Sequence, residues 1–249
     1  MPKFFVTSNE IKNDKIQIKG KDVNHIKNVL RAKIKDKIDI CNTDEMKDYN
    51  CEIEELTNDC VTCKIIFEKQ NDSESNIEIT IFQGLPKADK MELIIQKSVE
   101  LGVNKIVPVD MKRCVVKLKD KDQIKKVERW QKISEVASKQ CGRGIIPEIG
   151  QVDKIKEIGD RIGEYDTILV AYEKEENNYL KFEIDKLKKL EKDKKKIGIV
   201  IGPEGGLEEE EVKQLQENGA KVITLGKRIL RTETVALNMI SILMYELEN

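Results

Sequence analysis

Two short loops near the end of the chain carry the residue types best suited to chemistry. Ile201-Gly202-Pro203-Glu204-Gly205-Gly206-Leu207 follows an apolar run at 197–200. Leu225-Gly226-Lys227-Arg228-Ile229-Leu230-Arg231-Thr232-Glu233-Thr234 comes next and leads into a final apolar stretch. In the first loop Pro203 restricts Gly202 to extended backbone, and the glycines beyond it permit unusual angles. Such a loop brings bare N–H and C=O groups against a ligand, and Glu204 adds a carboxylate. In the second loop Arg228 and Arg231 bracket Ile229-Leu230 and suit an anionic partner. Thr232 reads as a helix cap, with Glu233 in the first turn. The first loop has no Gly-Lys-Ser/Thr ending and so is not a phosphate-binding Walker loop. No Gly-x-Gly-x-x-Gly opens a helix there, which excludes the dinucleotide fingerprint. What remains is a ligand site at the strand ends of an open α/β sheet. For the first loop alone, a plain tight turn is the alternative.

The elements that must position these loops can be read from periodicity. Positions 77–83, 105–109, 167–171, 197–201 and 222–225 read as buried-type strands. Between and after them lie helices over 89–101, about 121–141, 208–218 and 233–247, the third ended by Gly219. Alternating strands and helices predict a parallel sheet covered by helices. The helix over 233–247 is apolar nearly all round, which places it in the core or against a partner chain. A homodimer interface is the expectation for it. Positions 186–196 read as a solvated helix face and loop. The first part of the chain differs. Strands over 3–6, 15–18, 37–41, 50–56 and 61–67 and one helix over 22–31, with Val23, Ile26, Val29 and Leu30 on one stripe, suggest a small β-barrel. Positions 69–76, with Asn71, Asp72, Ser73 and Ser75, read as a linker. The expected domains are therefore 1–70 and 71–249.

A chain of 249 residues holds one large domain or two smaller ones. Its net charge is only −1, which by itself predicts no polyanionic partner. The charge is uneven: residues 84–143 carry a net +7, against −3 before and −5 after. The middle is thus a candidate polyanion-facing surface, unless it merely holds lysine-rich exposed helices. No apolar run approaches the ~20 residues that span a bilayer. The start, Met1-Pro2-Lys3-Phe4-Phe5, lacks the apolar core of a signal peptide, so the expected location is cytoplasmic. Of the six cysteines, Cys60 and Cys63 have zinc-knuckle spacing. On a strand they point to opposite faces and cannot share one metal, so reduced structural thiols and no metal site are expected.

Four segments together resemble a known family. They are Gln83-Gly84-Leu85-Pro86-Lys87-Ala88-Asp89-Lys90-Met91-Glu92, Gln140-Cys141-Gly142-Arg143-Gly144-Ile145-Ile146-Pro147, and the two loops. His25-Ile26-Lys27-Asn28-Val29-Leu30-Arg31 with Asp36-Lys37-Ile38 also fits. The chain resembles the bacterial 16S rRNA (uracil-N3)-methyltransferases, a branch of the SPOUT superfamily, over essentially its whole length. Cys141 departs from the pattern, where a serine is expected. The resemblance implies an α/β SPOUT-type methyltransferase domain with a parallel sheet and a C-terminal trefoil knot, preceded by a PUA-like β-barrel that binds RNA. Such knots are exceptions to ordinary topology. It further implies S-adenosylmethionine as cofactor, a homodimer, and a uridine in the decoding region of 16S rRNA, in the small ribosomal subunit, as substrate.

The resemblance also assigns roles. Ile201, Gly202, Gly205, Gly206, Leu225, Gly226, Ile229 and Leu230 would bind the cofactor. Arg231 would stabilise charge near the target base or the donor carboxylate, and Glu204 would remove or orient the proton. RNA contacts are expected mainly from the basic middle, at Lys87, Lys90, Lys112, Arg113 and Arg143, with Arg31 from the barrel, mostly at phosphates. His25 and Trp130 read as packing residues. The alternatives are a SPOUT enzyme acting on another RNA or atom, and a non-catalytic RNA-binding module. A phosphate-binding hydrolase lacks its Lys-Ser/Thr and its metal-ligand cluster.

Overall fold

The structure, a computed structural model, describes residues 3–248, so the reading of Met1 and Pro2 falls outside the described residues. The chain divides into two compact units. One runs to Glu74 and also takes in Ser138–Ile146; the other is Ser75–Ala137 with Pro147 onward.

In the first unit, β1 (Lys3–Val6), β2 (Ile11–Lys12), β3 (Lys15–Lys19), β4 (Lys37–Asn42), β5 (Lys47–Leu56) and β6 (Cys60–Gln70) form one sheet ordered β1-β4-β5-β6-β3-β2. Only the β1–β4 pair is parallel. Side chains alternate along each strand, so one face collects Phe4, Ile16, Ile18, Ile40, Ile53 and Val61 into a core. Cys51 and Cys63 lie in that core, and burial pushes both thiols up to about 12. Cys60 is half-buried, on the alternate side of the strand. The helix at 22–31 is shorter and distorted: α1 (Lys21–Asn24) continues as a π-turn over His25–Val29. The wider turn rotates its later residues off the expected stripe. Val23 and Ile26 stay buried, while Val29 and Leu30 are 64% and 37% exposed. The His25 ring packs edge-on against Phe4, with centroids 5.9 Å apart.

The expected linker is pinned rather than loose. Asn71 is buried, donates to Asp48 Oδ2 at 2.9 Å and accepts from the Ser73 amide at 3.0 Å. Glu74 accepts two hydrogen bonds from Arg143.

The second unit is a six-stranded sheet, all parallel, ordered β12-β10-β11-β7-β8-β9. Its strands are β7 (Ile77–Gly84), β8 (Lys105–Val109), β9 (Glu148–Ile149), β10 (Thr167–Ala171), β11 (Lys195–Ile201) and β12 (Lys221–Ile223). The helices are α2 (Lys90–Glu100), α3 (Asp120–Cys141, whose end from Ser138 belongs to the first unit), α4 (Ile155–Asp160), α5 (Leu180–Lys188), α6 (Glu209–Glu217) and α7 (Thr232–Leu247). Trp130, on α3, is buried. Helix α7 lies on β7 and β11 and packs beside α2 and α5. Ala236, Met239, Ile240 and Leu243 are fully buried there. Most of its apolar surface therefore closes the chain's own core, and Thr234, Ser241 and Tyr245 are exposed. Because β10, β11 and β12 are parallel neighbours, their C-terminal ends fall on one edge. That edge is where the two glycine loops emerge.

Candidate active site

Three segments leave that edge and enclose a cavity of about 950 Å³. They are Ala171–Tyr179 after β10, Ile201–Leu207 after β11 and Thr224–Thr232 after β12. The volume suits a small organic ligand or cofactor.

Each wall is fixed by specific bonds. Gly206, at φ 72°, donates its amide to Pro203 O at 2.9 Å, closing the first loop into a tight turn. A Cβ there would come within 2.8 Å of Glu173 Oε1, so Gly206 provides both the left-handed turn and the space for that carboxylate. Arg113 braces the same loop from outside: Nη1 donates to Gly205 O at 2.9 Å, and Nε and Nη2 grip Glu208 at 2.9 and 3.2 Å. In the second loop the Gly226 amide donates to Thr224 Oγ1 at 3.2 Å. The third segment is tied to the same edge, because Tyr172 N donates to Ile223 O and Asn178 Nδ2 to Val222 O, at 3.1 and 2.8 Å.

Thr232 joins the loops. The sequence suggests it as a helix cap, but Arg231 holds the N-cap position and Thr232 is buried in the first turn. Its hydroxyl donates to Gly202 O at 2.7 Å and accepts from Gln83 Nε2 at 2.8 Å. One hydroxyl thus links β7, the first loop and the start of α7.

The structure gathers Ile201, Gly202, Gly205, Gly206, Leu225, Gly226, Leu230 and Arg231 around one cavity. Ile229 also borders it, but its side chain is 86% exposed and is no part of a buried wall. Glu204 lines the cavity mouth, with Lys90 Nζ at 3.1 Å and the Lys87 amide donating at 3.1 Å. Partial burial pushes its carboxyl up, but hydrogen bonds from its own amide, Lys90 and the Lys87 amide outweigh that and hold it below the usual carboxylate range. A carboxylate so stabilised is a weaker proton acceptor, which favours orientation over proton removal, the two roles expected of it.

Four of the expected RNA contacts are already engaged. Arg143 is 4% exposed and bound to Glu74, so it holds the first unit together and cannot reach a polyanion. Lys90 lies between Glu204 and Glu233, at 3.1 and 3.4 Å. Lys112 pairs with Glu210 and Arg113 with Glu208. Only Arg31 and Lys87 from that set are exposed and, among the described residues, without an ion pair.

Sequence reasoning missed the third wall. Glu173 borders the cavity and, among the described residues, makes no hydrogen bond or ion pair. The Tyr172 hydroxyl is buried without a hydrogen-bond partner among the described residues. The signal was available: the strand at 167–171 belongs to the same parallel set, so the residues after it had to share the ligand edge.

Comparison with known proteins agrees with this architecture. The family profile described as RNA methyltransferase domain matches residues 73–244, and an RNA methyltransferase PUA domain profile matches 18–66. The chain is 38% identical to ribosomal RNA small subunit methyltransferase E of Bacillus subtilis (strain 168), covering 93% of this chain and 90% of that protein. It is 30% identical to the enzyme of the same name from Mesomycoplasma hyopneumoniae (strain 232), over 97% of this chain and 98% of the other. A crystal structure of the Neisseria gonorrhoeae ribosomal RNA small subunit methyltransferase E, bound to S-adenosyl methionine, superposes with a TM-score of 0.84 at 31% identity, covering 98% and 97% of the two chains. With its parallel sheet, its PUA-type first unit and a glycine-walled cavity at the strand ends, the chain belongs to the ribosomal RNA small subunit methyltransferase E family.

Proposed function

We propose that the protein methylates N3 of a uridine in the decoding region of 16S rRNA, with S-adenosylmethionine as donor. The observation that carries this reading is the cavity's division of charge: the free carboxylate of Glu173 on one wall and the free guanidinium of Arg231 on another. A donor with a sulfonium, an amino group and a carboxylate matches that pattern. When bound, this donor supplies a methyl group already activated by its positive sulfur.

The chain's own residues do the rest. Backbone groups of Gly202, Gly205, Gly206 and Gly226 would hydrogen-bond the polar edges of the donor. Ile201, Leu225 and Leu230 would cover its apolar parts. Glu173 would pair with its cationic groups. Arg231 stabilises the negative charge that spreads over the uracil carbonyls as the N3 proton passes to solvent water and N3 takes the methyl group from the sulfonium. Glu204, held ionised by its own amide, Lys90 and the Lys87 amide, orients groups that enter the site. Incubating 16S rRNA and small subunits with the protein and donor, followed by mass spectrometry of the nucleosides, is expected to give N3-methyluridine. Methyl on another atom, or none, would overturn the reading.

The family resemblance also supports a trefoil knot and a homodimer. The Thr232–Gly202 hydrogen bond, which binds the segment after the second loop to the first loop, is consistent with threading. For the dimer, the outer surface of α7 offers Tyr245, 79% exposed, beside half-buried Ile242. Tyr245→Glu should sediment as a monomer where the wild type is a dimer. A dimeric variant or a monomeric wild type would remove this interface.

A further inference from the structure

We propose that the second loop is the RNA-docking edge of the pocket. Lys227 and Arg228 hold phosphates of an unpaired RNA segment, Ile229 packs against an unstacked base, and Arg231, beside them on the rim, keeps its role at the target uracil. The inference rests on the functional reading above and names the surface that delivers the substrate.

The basic stretch at 84–143 is the compositional candidate for RNA binding, but the fold spends much of its charge internally. Lys112, Arg113 and Arg129 are held by Glu210, Glu208 and Glu92. A phosphate that displaces a carboxylate leaves that carboxylate to recruit a counterion, so little net counterion release follows. Lys227, Arg228 and Arg231 differ. All three are exposed and, among the described residues, have no ion pair and no side-chain hydrogen bond. They fall within five consecutive residues on the cavity rim. Glu173 also borders the cavity, with Glu176 exposed on the same segment. That acidic wall repels phosphates and confines the strand to the loop side. Between the cations, Ile229 is 86% exposed with nothing covering it. Cations for phosphates beside an apolar tip for a splayed base match the recognition of unpaired RNA.

The test is the salt dependence of binding to a labelled RNA hairpin with uridines in its loop, read by fluorescence anisotropy. Lys227→Gln/Arg228→Gln should weaken binding about tenfold and reduce the log–log salt slope by about 1.4, the value for two single-strand phosphate contacts. Lys112→Gln should leave the slope unchanged, and calorimetric affinity for S-adenosylmethionine should be the same in all three proteins. An unchanged slope in the double variant, an equal drop in Lys112→Gln, or lost cofactor binding would overturn the proposal. Failure of the wild type to bind the hairpin would overturn it too. A wild type that binds with the expected slope yet transfers no methyl to uridine N3 would sink the functional reading and leave the docking edge standing.

Discussion

Replacing Arg143 by alanine is expected to destabilise the protein by about 3–5 kcal/mol, the cost of stranding a buried charge. The guanidinium is 5% exposed and its partner carboxylate, Glu74, 13%. Nε and Nη2 donate to Glu74 Oε1 and Oε2 at 2.8 and 2.7 Å, and the Gly144 amide donates to Oε1 at 2.7 Å. Removing Arg143 leaves Glu74 with amide donors and no countercharge. Urea titration reads the loss, and Arg143→Ala/Glu74→Gln should recover part of it, because the stranded charge goes too. The pH dependence has a definite sign. Burial pushes the Glu74 carboxyl up, but the Arg143 hydrogen bonds and charge and the amides of Gly144 and Ile145 bring it below its ordinary value. A depressed folded pKa gives stability that is present above the unfolded value of about 4.3 and is lost as pH falls through the folded one. The gap between wild type and Arg143→Ala should therefore narrow as the solution is acidified below about pH 4. A gap that stays constant, or a variant as stable as wild type at neutral pH, would contradict the ion-pair account.

That residue also shows where sequence reading stops. Arg143 sits between two glycines in a matched motif, and nothing local reveals that its partner is 69 positions away. Arg113 meets its partner 95 positions on, so local charge could not foretell that the net +7 of the middle segment is largely met by carboxylates from elsewhere. Periodicity, by contrast, was enough for the strands: 105–109 and 167–171 agree to the residue with β8 and β10, because fully buried strands are continuous apolar runs. Two-residue β9 and six-residue α4 are too short to carry a period. The π-turn at His25–Val29 was hidden because helical periodicity assumes regular turns. The glycine loops were legible from composition; their shared edge followed from the parallel order; the Gln83–Thr232–Gly202 link depends on a side-chain direction that no pattern encodes.

That link makes Gly202→Ala the substitution with the largest expected effect on function. An added Cβ would come within 2.8 Å of the Gly206 carbonyl carbon and 3.1 Å of both Gly206 Cα and Leu207 N. These are backbone atoms of a closed turn, so no side chain can swing away to relieve the clash. Overpacking of this kind costs about 1–3 kcal/mol and shifts backbone. Here the shift moves the Gly202 carbonyl, which accepts the 2.7 Å bond from Thr232, and with it the register between the first loop and the start of α7. Two of the three walls of the cavity are disturbed at once. Affinity for S-adenosylmethionine, measured by calorimetry, should fall about 10- to 100-fold at 1.4 kcal/mol per decade. Gly163→Ala is the matched control, because a Cβ there meets nothing within 4 Å and the backbone is not left-handed. It should bind as the wild type does. If Gly202→Ala also bound normally, the first loop would have to open without penalty, and the close packing of Gly202 on Gly206 could not be what shapes the pocket.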